Sequence, residues 1–315
     1  MKILFLERTT IQDGRMNFSE IERKGDVVYC DSLVQKDQYE AVSDADFLII
    51  NKTKITEEFL CHAPKLKCIF LLATGYNNVD LASANAHNVG VCNVPGYSTD
   101  AVAQLTFSFI LNFATQTIQY TDSVRAGDWA NCSSYTYLTW PIHELNGKTL
   151  GIIGYGSIGQ KVADIAKAFG MRILVYTRTP KDDSAVKFCS LEELLPASDF
   201  VTLHCPLTPE TKGMMNRKTI ALMKPTAYLI NTSRGGAVDE YALADALNTD
   251  QIAGAGIDVL ETEPMPKDCP YLQAKHILVT PHIAWAAVEA RTRLIHEVAE
   301  NIAAFQSGNR RNRVD

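Results

Sequence analysis

An α/β fold in two domains is what this sequence predicts. Three observations carry that reading: its length, an alternation of short apolar runs with amphipathic stretches, and a glycine-rich turn in mid-chain. At 315 residues the chain exceeds what one compact core usually holds. Hydrophobic residues make up 46% and charged residues 21%, an ordinary balance for a globular protein. The net charge of −6 argues against nucleic-acid binding, which needs a basic face to neutralise phosphates. It leaves small anionic substrates open, because a local arginine can bind one on an acidic protein. No run of about 18 apolar residues occurs, so no membrane span is expected. The opening "MKILFLERTT" reads as a buried first strand and not as a signal peptide; a cytoplasmic protein is expected. The eight cysteines, at 30, 61, 68, 92, 132, 189, 205 and 269, contain no CxxC pair. Reduced, mostly buried thiols are expected, with no metal site.

The elements follow in chain order. Over the first domain, "KILFL", "DFLII" (46–50), "KCIFLLA" (67–73) and "GVCNV" (90–94) are strand-length runs. Helical-looking segments such as "TEEFLCHA" lie between them, which predicts a parallel sheet with crossover helices. The apolar segment 98–124, "STDAVAQLTFSFILNFATQTIQYTDSV", is long enough to require a helix, with Ser98 or Thr99 as its cap. The aromatic-rich 128–141, "DWANCSSYTYLTWP", is a loop. Its Tyr135, Tyr137 and Trp140 suit a dimer-surface or core contact, or closure of a pocket on a small apolar group. From residue 149 six strand candidates alternate with amphipathic stretches: "TLGIIG", "RILVYT", "DFVTLHC", "AYLINT", "IAGAGIDVL" and "HILVTPHI". That series matches a Rossmann-type, doubly wound parallel sheet. One helix, "AAVEARTRLIHEVAENIAAF", closes the chain, and the tail "SGNRRNRVD" is expected to be loose. The dinucleotide domain then occupies 99–285 as one block. A smaller substrate domain is assembled from 1–98 and 286–315, an arrangement with two crossings that suits hinge closure.

The chemistry begins at "GIIGYGSIG", where Gly154, Gly156 and Gly159 have the GxGxxG spacing between a strand and a helix. The first glycine allows the tight turn, and the second lets the backbone approach a pyrophosphate. The third packs helix on strand, and the helix amino terminus offers N–H donors. About 20 residues on, an NAD site usually carries an acid for the ribose hydroxyls; here Thr177 stands, followed by Arg178. A carboxylate that would repel a 2′-phosphate is missing, so NAD or NADP is expected. Farther on, three strand ends carry Arg234 in "INTSRGGAVDE", Asp258 and Glu263 in "GIDVLETEPMP", and His282 in "VTPHIAWAA". Singly each has an ordinary role as a cap, a turn residue or a structural hydrogen-bonder. Jointly they fall where ligands collect in open α/β sheets.

These blocks, with "LLATGYNNVDL" (71–81), "VPGYSTDAVAQ", "LNGKTLGIIGYGSIG" and "LHCPLTPETKGMMN", resemble the D-isomer-specific 2-hydroxyacid dehydrogenase family in order and spacing over nearly the whole chain. Within it, "LLATGYNNVDL" is most similar to glycerate dehydrogenases, also called hydroxypyruvate reductases. The resemblance implies a flavodoxin-like substrate domain and reversible reduction of a small 2-keto acid, hydroxypyruvate to D-glycerate first, then glyoxylate or pyruvate/D-lactate. It implies Arg234 on the substrate carboxylate and keto oxygen, His282 as the proton donor and acceptor, and Glu263 on the other imidazole nitrogen. By the same resemblance, Thr74, Gly75 and Tyr76 bind substrate through backbone N–H groups, with Arg234 and His282. Ser157, Ile158, Cys205, Pro206, Thr211, Thr232 and Ser233 line the dinucleotide, Asp258 contacts its nicotinamide side, and the protein is a homodimer. Two other readings stay open on the residues alone: a nicotinamide-sensing regulatory protein, and a formate- or phosphite-type dehydrogenase.

Overall fold

In the computed structural model, which describes residues 1–31 and 35–315, the chain divides into two compact units. One joins Met1–Ser98 to Ala286–Asp315, and the other is Thr99–Trp285.

The first unit runs β1 (Lys2–Leu6), α1 (Ser19–Glu22), β2 (Asp26–Cys30), α2 (Gln35–Val42), β3 (Phe47–Ile50), α3 (Glu57–Cys61), β4 (Cys68–Leu71), α4 (Leu81–Ala86) and β5 (Gly90–Cys92). Its five parallel strands are ordered β2-β1-β3-β4-β5, the flavodoxin-like order that the resemblance implies. Strands β3 and β4 are buried at every residue, as parallel strands covered on both faces must be. The edge strand β2 was not expected. Its "DVVYC" is half-exposed, so it lacks the continuous apolar run that marked its neighbours.

The second unit runs α5 (Thr99–Thr115), α6 (Thr117–Ala126), β6 (Thr149–Ile153), α7 (Ser157–Ala168), β7 (Arg172–Tyr176), β8 (Lys187–Phe188), α8 (Leu191–Ala197), β9 (Phe200–Leu203), α9 (Arg217–Ile220), β10 (Tyr228–Asn231), α10 (Glu240–Asn248), β11 (Gly254–Ile257) and β12 (Ile277–Val279). Seven parallel strands lie in the order β12-β11-β10-β9-β6-β7-β8, which is the doubly wound arrangement with its switch point between β6 and β9. Helices cover both faces. Val201, Leu203, Leu229 and Ile257 pack with α8 to α10, whereas Leu150, Ile152, Val175 and Phe200 pack with α5 and α7. The six expected strands are present, and two-residue β8 is the addition.

Two sequence expectations are corrected. The segment 98–124 is two helices, because Gln116 is left-handed at φ 55°. The Asn112 side chain then accepts from the Ile118 N–H at 3.1 Å and starts α6. The tail is not loose. Beyond α11 (Val288–Gln306), Arg313 bridges Cys92 in antiparallel fashion. Val314 donates to the Val91 carbonyl at 3.0 Å, and the Asp315 carboxylate accepts from the Val91 N–H at 2.8 Å. The cysteines are unpaired, but only Cys68, Cys92 and Cys269 are buried, fewer than expected.

Candidate active site

The glycine turn follows β6 at the switch point. Gly154 has φ 95°, and a Cβ there would sit 2.7 Å from the backbone of His204 and Cys205; only glycine fits. At Gly159 a Cβ would fall 2.2 Å from the Gly154 carbonyl, so this residue brings α7 against the turn. Gly156 caps α7 with no side-chain bond to the helix N–H groups. A Cβ on it would meet nothing within 4 Å. Open space in front of the exposed Ser157 and half-buried Ile158 amides is what a dinucleotide pyrophosphate requires.

Around this cradle the expected lining residues hold their own loops. Thr211 Oγ1 donates to the Pro206 carbonyl at 2.7 Å and accepts from the Thr208 N–H at 2.7 Å. Burial pushes the Cys205 thiol up, so it is a neutral apolar surface. Thr232 is tied to Thr106 on α5 at 3.1 Å, and the Ser233 hydroxyl to Asn231 at 2.9 Å. Thr177 directly follows β7, half-buried beside an exposed Arg178. The Thr208 hydroxyl first, with the Arg178 charge a smaller contributor, holds the exposed Glu210 carboxyl below its usual range. An acid therefore stands in the field of Arg178, although not at the position searched in the sequence.

The strand ends after β10, β11 and β12 carry the reactive side chains. Asn231, which sequence reading passed over, shapes the first: its amide donates to the Arg234 carbonyl at 2.9 Å and its oxygen accepts from the Ser233 N–H at 3.0 Å. Half-buried Arg234 donates to the Ser233 carbonyl at 2.7 Å. Next to it, a Cβ on Gly235 would overlap the Leu260 backbone at 1.8 Å. The loop bearing Arg234 thus presses on the loop that leads to Glu263.

Glu263 joins two loops. One oxygen accepts from the Leu260 N–H at 3.0 Å, and the other lies 2.6 Å from His282 Nδ1. His282 is itself left-handed at φ 54°, a conformation that costs a residue with a side chain. Asp258 explains how it is held. Its carbonyl accepts from the His282 N–H at 2.8 Å. Its carboxylate accepts from Thr280 Oγ1 at 2.6 Å, the Ile283 N–H at 2.8 Å and the Ala284 N–H at 2.9 Å. Burial pushes the Asp258 carboxyl up, against the pull of these donors and of His282. The side chain expected on the nicotinamide side thus also holds the histidine loop. By contrast, His204 has no hydrogen-bond partner for either ring nitrogen among the described residues. Burial drops it to about 3, so the ring is uncharged near neutrality.

Thr74, Gly75 and Tyr76 belong to the other unit, in the loop after β4. The Thr74 hydroxyl donates to the Val94 carbonyl at 2.8 Å, and Asn93 donates to the Thr74 carbonyl at 2.6 Å. Among the described residues the three successive amides of Thr74, Gly75 and Tyr76 donate to no acceptor.

Comparison with known proteins agrees with this chemistry. Residues 107–284 match the family described as D-isomer specific 2-hydroxyacid dehydrogenase, NAD binding domain. The chain is 37% identical to a hydroxypyruvate reductase of Blautia hydrogenotrophica, covering 98% of each. It is also 37% identical to a glycerate dehydrogenase of Methylorubrum extorquens, covering 100% of this chain and 99% of that one. Among solved structures, the TT0316 protein from Thermus thermophilus superposes with a TM-score of 0.90 at 35% identity over 100% of both chains. The chain belongs to the D-isomer-specific 2-hydroxyacid dehydrogenase family and is an NAD-dependent oxidoreductase of 2-hydroxy acids.

Proposed function

We propose that the chain reversibly reduces hydroxypyruvate to D-glycerate, with glyoxylate and pyruvate as the nearest alternative substrates, and accepts NADP as well as NAD. The observation that carries the mechanism is the 2.6 Å contact between His282 Nδ1 and Glu263. A carboxylate on Nδ1 orients the ring, so that Nε2 faces the substrate, gives a proton to the 2-keto oxygen and takes it back in oxidation. The Arg234 fork suits the substrate carboxylate and polarises the keto group, and the amides of Thr74, Gly75 and Tyr76 take the same carboxylate. The bound nicotinamide supplies or accepts the hydride. Gly154, Gly156, Ser157, Ile158 and Gly159 hold its pyrophosphate; Cys205, Pro206, Thr211, Thr232 and Ser233 line the remainder. Asp258, besides holding the histidine loop, contacts the nicotinamide side. The names of the similar proteins from Blautia and Methylorubrum support the substrate choice.

NADP use rests on Thr177 and Arg178, since no carboxylate occupies position 177 to repel a 2′-phosphate. No helix of the described residues is long and apolar enough to cross a membrane, and eight unpaired cysteines fit a reducing compartment; the cytoplasm is proposed. A homodimer is proposed through the segment of α6 and the following loop. There Tyr135 is 88% and Leu138 79% exposed, with Trp129 and Ile142 about half so, an apolar surface that a monomer rarely leaves open. A sedimentation mass of two chains checks it.

The deciding experiment follows nicotinamide absorbance with NADH and NADPH across short 2-keto acids. Rapid oxidation with hydroxypyruvate is expected; a nicotinamide-sensing regulator turns over no member of the panel, and a formate-type enzyme reduces NAD with formate alone. Thr177→Asp should lower the NADPH/NADH ratio of kcat/KM, and an unchanged ratio removes the argument for NADP.

A further inference from the structure

Helices α3 and α4 carry a side-chain cluster that the reaction does not use. Glu57 and Cys61 lie four residues apart on α3 and so share a face; His87 directly follows α4. His87 Nε2 is 2.8 Å from Glu57 Oε1, and Cys61 Sγ is 3.7 Å from the same oxygen. All three donor atoms lie within 4.8 Å of one another.

We propose that Glu57, Cys61 and His87 bind a borderline-soft divalent cation, Zn²⁺ foremost, with water as the fourth ligand. Metal–ligand bonds of about 2.0–2.3 Å in a tetrahedron place donor atoms ~3.3–3.6 Å apart. The observed separations, 2.8 Å and 3.7 Å from Glu57 to the other two donors and no more than 4.8 Å between any pair, bracket that geometry. The donor set chooses the ion. Sulfur with an imidazole nitrogen disfavours Mg²⁺ and Ca²⁺, which take oxygen ligands, and suits Zn²⁺. Glu57 and Cys61 are exposed and His87 half-buried, so the ion enters from solvent, and three protein ligands leave an exchangeable position. Cys61 ends α3 and His87 closes α4, so the ion staples one helix to the other. No CxxC or paired-histidine spacing announces the site in the sequence, because its ligands come from two helices 26 residues apart at their nearest.

The test uses the full-length protein stripped with a chelator and titrated separately with Zn²⁺ and Co²⁺. One ion per chain is expected, the Co²⁺ complex showing thiolate-to-metal charge-transfer absorption that Cys61→Ser removes. Loss of a second-shell partner already costs about 10–100-fold in metal affinity; Cys61→Ser and His87→Ala, which remove direct ligands, should each weaken Zn²⁺ binding by at least that. Zn²⁺ should raise the Tm of the unaltered chain and not of either variant. The metal-free variants should melt with the metal-free parent, since both side chains lie at the surface. The proposal is overturned if no Zn²⁺ binds, if both variants bind it as tightly as the parent, or if the Co²⁺ complex lacks the thiolate band.

Discussion

Each of the two parallel sheets ends, at the carboxyl side of its strands, in loops held by one buried carboxylate, and the two carboxylates do different work. In the larger unit, Asp258 accepts from Thr280, Ile283 and Ala284 and so fixes a loop whose product is a side chain, the imidazole of His282. In the smaller unit, buried Glu7 accepts on a single oxygen from the Asn51, Lys52 and Thr53 N–H groups at 3.2, 2.9 and 2.8 Å. The turn so fixed is bonded in its own right to Asn78, whose side chain donates to the Asn51 and Thr53 carbonyls and whose carbonyl accepts from Ile55. What that second network presents is backbone, the open amides of residues 74–76. On the proposed function, one edge presents the proton donor and the other the anion site, so damage to the first should appear in turnover and damage to the second in substrate affinity.

The sharpest break is at His282. Replacing it with Ala should lower turnover by about 10²–10⁴, the usual weight of general acid–base catalysis, while fluorescence titration still shows NADH binding. Turnover within twofold of the parent would leave the proton donor elsewhere. Asp258→Ala comes next. It strands buried donors at about 1–3 kcal/mol each, and each kcal/mol lowers Tm by about 2–4 °C in a unit of this size. Turnover should fall by about tenfold, equivalent to ~1.4 kcal/mol, because the histidine loop loosens. Calorimetry and steady-state kinetics on one preparation read both.

The same comparison explains what could be read without coordinates. Arg234, Glu263 and His282 could be singled out because each stands at or just past a strand end, and the structure brings two of them together, His282 Nδ1 lying 2.6 Å from Glu263. Gly154 and Gly159 were legible because a Cβ is sterically forbidden there. Glu7 and Asn78 were not. Their work is to accept or donate to backbone amides and carbonyls, which every residue has, and their partners lie 44 to 46 residues away for Glu7 and 25 to 27 for Asn78. Asp258 was found as a strand-end acid, but its hold on the histidine loop was not, since its partners Thr280, Ile283 and Ala284 lie 22 to 26 residues further along the chain. Edge strands β2 and β8 and the tail were missed for a related reason: pairing along a sheet edge needs backbone alone and leaves little apolar pattern.

Glu7 tests the affinity half of the contrast. Glu7→Ala removes charge-assisted bonds worth about 1.5–3 kcal/mol each, and KM for the 2-keto acid should rise by roughly tenfold, or ~1.4 kcal/mol. Both kcat and KM for the nicotinamide should stay within about twofold. Glu7→Gln, which keeps an acceptor oxygen, should recover part of the loss. If kcat and both KM values worsen together, Glu7 only supports the fold of its unit and the division between the edges fails.

The smallest effect separates the two carboxylates by pH. Because burial pushes the Asp258 carboxyl up, the folded chain binds a proton there more readily than the unfolded chain does. Stability must then fall as pH rises through the folded value, and be regained as pH is lowered toward the ordinary aspartate value. Most native carboxylates act the other way, so the signal lies in a difference between chains. Asp258→Asn cannot titrate at that position. The stability of the parent minus that of Asp258→Asn, from urea unfolding at successive pH values, should grow as pH is lowered across that window. A difference that shrinks on acidification would mean that the three donors and His282 outweigh burial, leaving Asp258 more firmly ionised than an exposed aspartate.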